Sequence, residues 1–168
     1  MKKRADSWRA FYIKMEVVNM VDVFTEITIN CPREQVSEYA ANPDKAPEWY
    51  VNINSAEWHT AKPLQVGSKI AFKANFLGRQ LAYVYEVAEY SPGHKLVMRT
   101  AHGPFPMETT YTWDSVNSRT TRMTLRNKGN PTGFSTLFSP FMSLMMKRAN
   151  QKDLNKVKLI MEARSEPH

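Results

Sequence analysis

A single cysteine, Cys31, stands in a chain of 168 residues. One thiol excludes a disulfide framework and a cysteine-based metal cage. It fits a reducing cytoplasm, the compartment expected for this chain. Glycine is scarce, at 6 residues. The one stretch that resembles a phosphate loop, Gly-Asn-Pro-Thr-Gly at 129–133, lacks the lysine such a loop requires. The 4 histidines lie far apart with no i,i+4 pair, so neither a metal nor a cofactor is expected. No apolar run reaches the roughly 18–20 residues of a membrane span. Internal repeats, low-complexity tracts and the apolar core of a secretory signal are missing as well.

Acidic residues are the minority, 16 against 23 Lys and Arg, for a net charge of +7. Such a balance favours anionic partners. Residues 1–20 hold +3 of it, from Lys2, Lys3, Arg4, Arg9 and Lys14 against Asp6 and Glu16. The remainder is mildly basic, without the interleaved aromatics of a nucleic-acid surface, and no nucleic-acid partner is expected. Within residues 1–20, Trp8, Phe11, Tyr12, Met15 and Val18 or Asn19 follow helical spacing between basic residues. That pattern fits a basic amphipathic helix making peripheral membrane contact. The simpler reading is a loosely attached extension ahead of Met15 or Met20. A single domain is expected over residues 21–164, as monomer or homodimer.

What the sequence does have is alternation. Residues 21–29 alternate and are β-branched, which predicts a strand. Pro32 suits a helix entry, with Asn30 or Cys31 as cap, and residues 33–41 and 44–50 predict two short helices. Strands are then expected at 54–61, 68–76, 79–90, 95–101, 106–114 and 119–127. Turn residues separate them at close intervals, Gly78 and Gly93 among them. Residues 131–164 predict the one long helix, apolar nearly all round in its first half. Its second half narrows to a stripe through Leu154, Val157, Ile160 and Met161. Pro140 predicts a kink or a helix start just before it.

Grouped strands with segregated helices indicate an α+β fold. A strongly twisted seven-stranded antiparallel sheet curls, and its concave face needs filling. The C-terminal helix is the only element large and apolar enough to fill it.

Three strings carry a family resemblance. They are residues 29–36 (INCPREQV), residues 66–70 (VGSKI) with 83–87 (YVYEV), and residues 111–113 (YTW) with 121–125 (TRMTL) and 152–158 (KDLNKVK). With the order of elements, the chain from about 21 to 163 resembles the SRPBCC superfamily, also called START-like or helix-grip. Within it the likeness is to the polyketide cyclase/dehydrase type. The resemblance implies a cavity between the sheet and the terminal helix, used for lipids, sterols, polyketides or other apolar molecules. These motifs identify a scaffold rather than a reaction.

A cavity makes demands on strand phase. Tyr83, Tyr85, Val87, Leu96 and Met98 should point inward. So should Met107, Thr109, Tyr111 and Trp113, then Thr121, Met123 and Leu125. Arg99, Glu108, Arg122 and Arg126 should point out. The terminal helix should turn Phe138, Phe141, Met142 and Met145 to the sheet as a lid opening near Pro140, and Trp49 should roof the mouth. A lining of aromatics and Met with a few hydroxyls suits a ligand pocket. The same residues would equally fill a solid core.

For acid–base chemistry the weak candidates are Glu86 and His102. Glu86 is out of phase with the inward set, and His102 looks like a turn residue. Cys31 lacks a positioned base. The leading expectation is therefore a binder or carrier of a hydrophobic small molecule or lipid, not an enzyme. The alternative is a cyclase, dehydratase or hydrolase acting on an aromatic or polyketide-type substrate, which needs a titratable group inside the cavity. A second alternative is an interaction module of the chaperone-activator kind, which would show an apolar patch and little cavity.

Overall fold

The computed structural model describes residues 21–76, 78–103, 105–129 and 139–165. Strand β1 (Val21–Ile29) is followed by helix α1 (Arg33–Ala41), a 3₁₀ turn (Pro43–Lys45) and helix α2 (Ala46–Trp49). Strands β2 (Ile53–Trp58), β3 (Lys69–Phe76), β4 (Arg79–Ser91), β5 (Lys95–His102), β6 (Met107–Asn117) and β7 (Thr120–Gly129) come next, and helix α3 (Ser139–Ser165) closes the order. The α+β class and the segregation of helices are as expected.

All strands join one antiparallel sheet in the order β1-β7-β6-β5-β4-β3-β2, curled into a half-barrel. β1 and β2 form opposite edges, so the chain between them must cross the concave side. Helices α1 and α2 make that crossing: α1 lies against β6 and β7, and α2 against β2 and α3. Positive φ angles at Gly78 (74°) and Gly93 (80°) turn the chain between strands, where a Cβ would be strained. In β4 the register with β5 shifts between Val87 and Glu89, so Tyr90 rather than Glu89 packs on the core.

The entry to α1 differs from expectation. Pro32 itself takes the N-cap position, with no capping side chain. Instead Thr121 Oγ1 donates to the Cys31 carbonyl at 2.7 Å and ties the turn to β7.

Helix α3 is described from Ser139 onward; residues 131–138 of the expected helix, and with them the expected kink or start at Pro140, lie outside the described residues. Its inward line is Met142, Met146, Asn150, Asp153, Leu154, Val157 and Met161, all buried. Its first half is not enclosed: Phe141 and Leu144 face solvent and Met145 is half-buried. The helix lies mainly along the edge strand β1. Among the described residues one side of it meets the sheet there, so an apolar surround does not become a buried one. Met146, not Met145, packs with Val21, Val23 and Met107.

The strand phase is as expected. Val87, Leu96, Trp113, Thr121, Met123 and Leu125 are buried, while Arg99, Arg122 and Arg126 are exposed. The outward charges pair across strands: Arg99 with Glu108 at 2.8 Å, Arg122 with Asp114 at 3.1 Å, and Arg126 with Asp22 at 2.7 Å.

Candidate functional site

The concave face has two halves. At the end covered by α1 and α2 it is solid. Trp49, Trp113, Ile70, Leu96, Met123, Leu125, Leu154 and Val157 are essentially inaccessible there. At the other end the inward positions surround a pocket of about 140 Å³. The contributors follow from antiparallel geometry. β3 gives its late inward residues Phe72 and Ala74, and β4 its early ones, Tyr83 and Tyr85. β5 gives Met98, β6 gives Met107, Thr109 and Tyr111, and β7 gives Asn127. Tyr50, just after α2, and Ile53 of β2 complete the wall.

Six of the expected lining residues thus meet at this pocket: Tyr83, Tyr85, Met98, Met107, Thr109 and Tyr111. Trp113 and Met123 point inward but one or two positions too far along their strands, in the solid half. Trp49 does not roof a mouth. It is buried, with its ring stacked on Tyr50 at a centroid distance of 3.9 Å. Met142 and Met145 are not in the wall, Phe141 faces solvent, and Phe138 lies outside the described residues. Tyr50, Ile53, Phe72, Ala74 and Asn127 were missed. For Phe72, Ala74 and Asn127 the alternation of β3 and β7 carried the signal, because Phe72 and Ala74 share a face with Ile70, and Asn127 with Leu125.

The pocket is apolar along Ile53, Phe72, Ala74 and Met98, with polar groups gathered on the β6–β7 side. The Tyr50 and Tyr111 hydroxyls hydrogen-bond to each other. Tyr85 Oη donates to Met107 Sδ at 3.3 Å. Thr109 Oγ1 donates to Asn127 Oδ1 at 2.9 Å, and Asn127 Nδ2 donates to Asn150 Oδ1 at 3.1 Å. This ladder joins the pocket to α3. It ends on the buried Asn150 amide nitrogen, which has no partner among the described residues. Turning both amides round would leave the Asn150 oxygen unpartnered instead, so one buried polar atom of Asn150 stays free either way.

Electrostatics at the site are those of a desolvated place. Burial pushes the phenols of Tyr50, Tyr83, Tyr85 and Tyr111 above their ordinary range, so they stay neutral. Behind Tyr50, Asp153 on α3 is buried, and its Oδ1 accepts the Val51 N–H at 2.7 Å. Burial raises the Asp153 carboxyl to about 6, partly opposed by that hydrogen bond and by Lys156.

Neither weak catalytic candidate reaches the pocket. Glu86 sits on the outer face, 3.6 Å from Lys69, and His102 is exposed at the end of β5. Among the described residues no group of three or more His, Cys, Asp and Glu is placed to hold a metal ion. No helix there is long and apolar enough to cross a membrane.

Residues 20–162 match the family described as polyketide cyclase / dehydrase and lipid transport. Among solved structures, the Zhui aromatase/cyclase from Streptomyces sp. R1128 superposes with a TM-score of 0.75 at 14% identity, covering 88% of this chain and 96% of that one. A START superfamily protein from Mycobacterium smegmatis gives 0.73 at 10% identity, over 86% and 99%. Major latex-like protein 151 from Panax ginseng gives 0.65 at 13%, over 89% and 99%. At these identities the likeness is one of fold. No curated protein matches the sequence.

Proposed function

The chain belongs to the polyketide cyclase/dehydrase and lipid transport family, and on that premise we propose that its pocket binds a small apolar ligand about the size of one aromatic ring. The observation that carries this reading is the lining itself. An apolar wall faces a short row of hydroxyls and amides, all held by neighbouring side chains.

Volume limits the ligand. A pocket of about 140 Å³ is close to an engineered cavity of about 150 Å³ known to hold benzene, and well under the ~300–1,000 Å³ of drug-sized sites. As it stands it takes one ring, or one end of a longer lipid. Met98 and Met107 are the wall residues best able to give way to more. The polar row suits a ligand with one hydroxyl or carbonyl, because the second Asn127 N–H and the hydroxyl lone pairs are left over after the bonds within the row.

A cyclase or dehydratase reading finds less support. General acid–base chemistry near neutral pH needs a group that titrates there. The described lining offers only phenols held neutral by burial. Two measurements test the binding reading: native mass spectrometry of the purified protein, and titration with phenol and benzene followed by NMR. Saturable shifts at Tyr83, Tyr85 and Tyr111, stronger for phenol, are expected. A clean apo mass with no saturable shift at millimolar ring compound would overturn it.

A further inference from the structure

The outer face of α3 is built unlike the rest of the surface. Phe141, Leu144 and Leu159 are 51%, 46% and 69% exposed. At helical spacing they share one face with Arg148 and Lys152, and Lys156 lies at its margin. Over about 1.5 Å per residue, this stripe runs for roughly 27 Å. Between Phe141 and Leu159 it carries no acidic side chain: Asp153 is buried on the opposite face, and Glu162, beyond Leu159 at the margin, is already engaged by Lys158 and the Asn30 N–H.

Charge pairing sharpens the contrast. On the sheet, Arg99, Arg122, Arg126, Lys95 and Lys69 are matched by Glu or Asp, while Lys73, Arg79 and Lys128 have no such match among the described residues. Arg148, Lys152 and Lys156, together with Lys147 beside them, form no ion pair among the described residues. Helix α3 carries 6 Lys and Arg against 2 acidic residues, whereas the other described residues carry 12 against 11, so the excess positive charge is concentrated on this helix, next to its exposed apolar side chains.

We propose that this face of α3 docks on an anionic phospholipid surface. A bilayer interface offers both things the stripe lacks: negative headgroups for the cations and an acyl boundary for Phe141, Leu144 and Leu159. A polyanion in water would satisfy only the cations. This inference stands apart from the pocket reading, and either can fail alone.

The test uses the full chain and vesicles of phosphatidylcholine, with or without about 30% phosphatidylglycerol, in co-sedimentation at low and high salt. Binding is expected only with phosphatidylglycerol and should weaken with salt. Neutralising Arg148, Lys152 and Lys156 to Gln should lower affinity on the order of 100-fold, about fivefold per charge. Phe141→Ser with Leu144→Ser should lower it about tenfold or more. All five side chains point away from the core, so circular dichroism and the thermal midpoint should not move. Equal binding to neutral vesicles overturns the proposal, as does binding to neither. So does unchanged affinity in both variants, which would place the contact elsewhere, for instance in residues 1–20. A face that instead drives self-association or binds duplex DNA in preference to vesicles refutes it too.

Discussion

Asp153→Asn should make the protein more stable at neutral pH. The carboxyl is buried on the inner line of α3, and burial raises it from an ordinary 3.8 to about 6. Each unit is worth about 1.36 kcal/mol, so the ionised form is disfavoured in the folded state by on the order of 3 kcal/mol. The sign follows from proton binding. Between 3.8 and about 6 the folded state holds a proton that the unfolded state has released. Stability therefore falls as pH rises through that window and stays reduced above it. Asparagine is close in shape and keeps an oxygen for the Val51 N–H, which Asp153 now accepts at 2.7 Å. It removes the buried charge and leaves the bond.

The expected gain at pH 7.5 is about 2 kcal/mol, discounted for the extra amide N–H that needs a partner. For a chain of this size that is roughly 4–8 °C in the thermal midpoint. Denaturant titrations of wild type and variant, run from pH 4 to pH 7.5, isolate the effect. Carboxylates held low by cationic partners, such as Asp22 beside Arg126 and Asp44 beside Lys62, lose their contribution as pH falls in both proteins alike. The gap between the two curves should close towards pH 4. Asp153→Ala serves as a control, because it leaves the Val51 N–H without its acceptor and should forfeit about 1–3 kcal/mol of the gain. A variant less stable than wild type at pH 7.5, or a gap that does not change with pH, would refute the reasoning.

Other expectations follow from single contacts. Ala74→Met puts a thioether arm into the pocket, so phenol affinity measured by NMR titration should fall about tenfold or more while stability changes by no more than about 1 kcal/mol. Gly103→Ala would bring a Cβ to 2.8 Å from Tyr83 Cδ1 and 2.9 Å from Thr100 Cγ2, which displaces a pocket wall. The variant should lose about 1 kcal/mol by urea midpoint and shift the Tyr83 ring resonances even without ligand. Thr121→Val keeps the shape but leaves the Cys31 carbonyl without its donor, for a loss of about 1–2 kcal/mol by thermal or chemical denaturation.

Much of the scaffold was legible because strand phase is a period-two signal, and a one-residue slip would bury Arg99 and Arg122. The same signal placed Tyr83, Tyr85, Met98, Met107, Thr109 and Tyr111 on the inner face. It carries no information on how far along each strand the filling by α1 and α2 extends. Trp113 and Met123 therefore looked equivalent to Tyr111 but lie in the solid half. The helix was harder. Phe141, Met142, Met145 and Met146 are all apolar, so nothing in the composition of that turn says which side meets the sheet. Tertiary contact with Val21, Val23 and Met107 decides in favour of Met146, and Met142, one turn before it, is buried as well. Tyr50 and Asn127 escaped for another reason. One sits in a connection rather than a strand, and the other is polar, where an apolar cavity predicts mostly apolar inward side chains.

The polar row of the pocket is also what couples it to α3. Tyr111 meets Tyr50, whose neighbour Val51 donates to Asp153, and Asn127 meets Asn150. Both links end on the inward line of the helix, three residues apart, while Arg148 and Lys152 point outward from the same turns. A ligand that takes a hydrogen bond from Asn127 or Tyr111 competes with these links. Its binding should therefore loosen the middle of α3 rather than the solid half, where Leu154 and Val157 are held by packing alone. Amide exchange resolves the two: protection near Asn150 should fall on saturation with phenol, and protection near Val157 should not. Uniform protection along the helix would mean that the polar row only fills space.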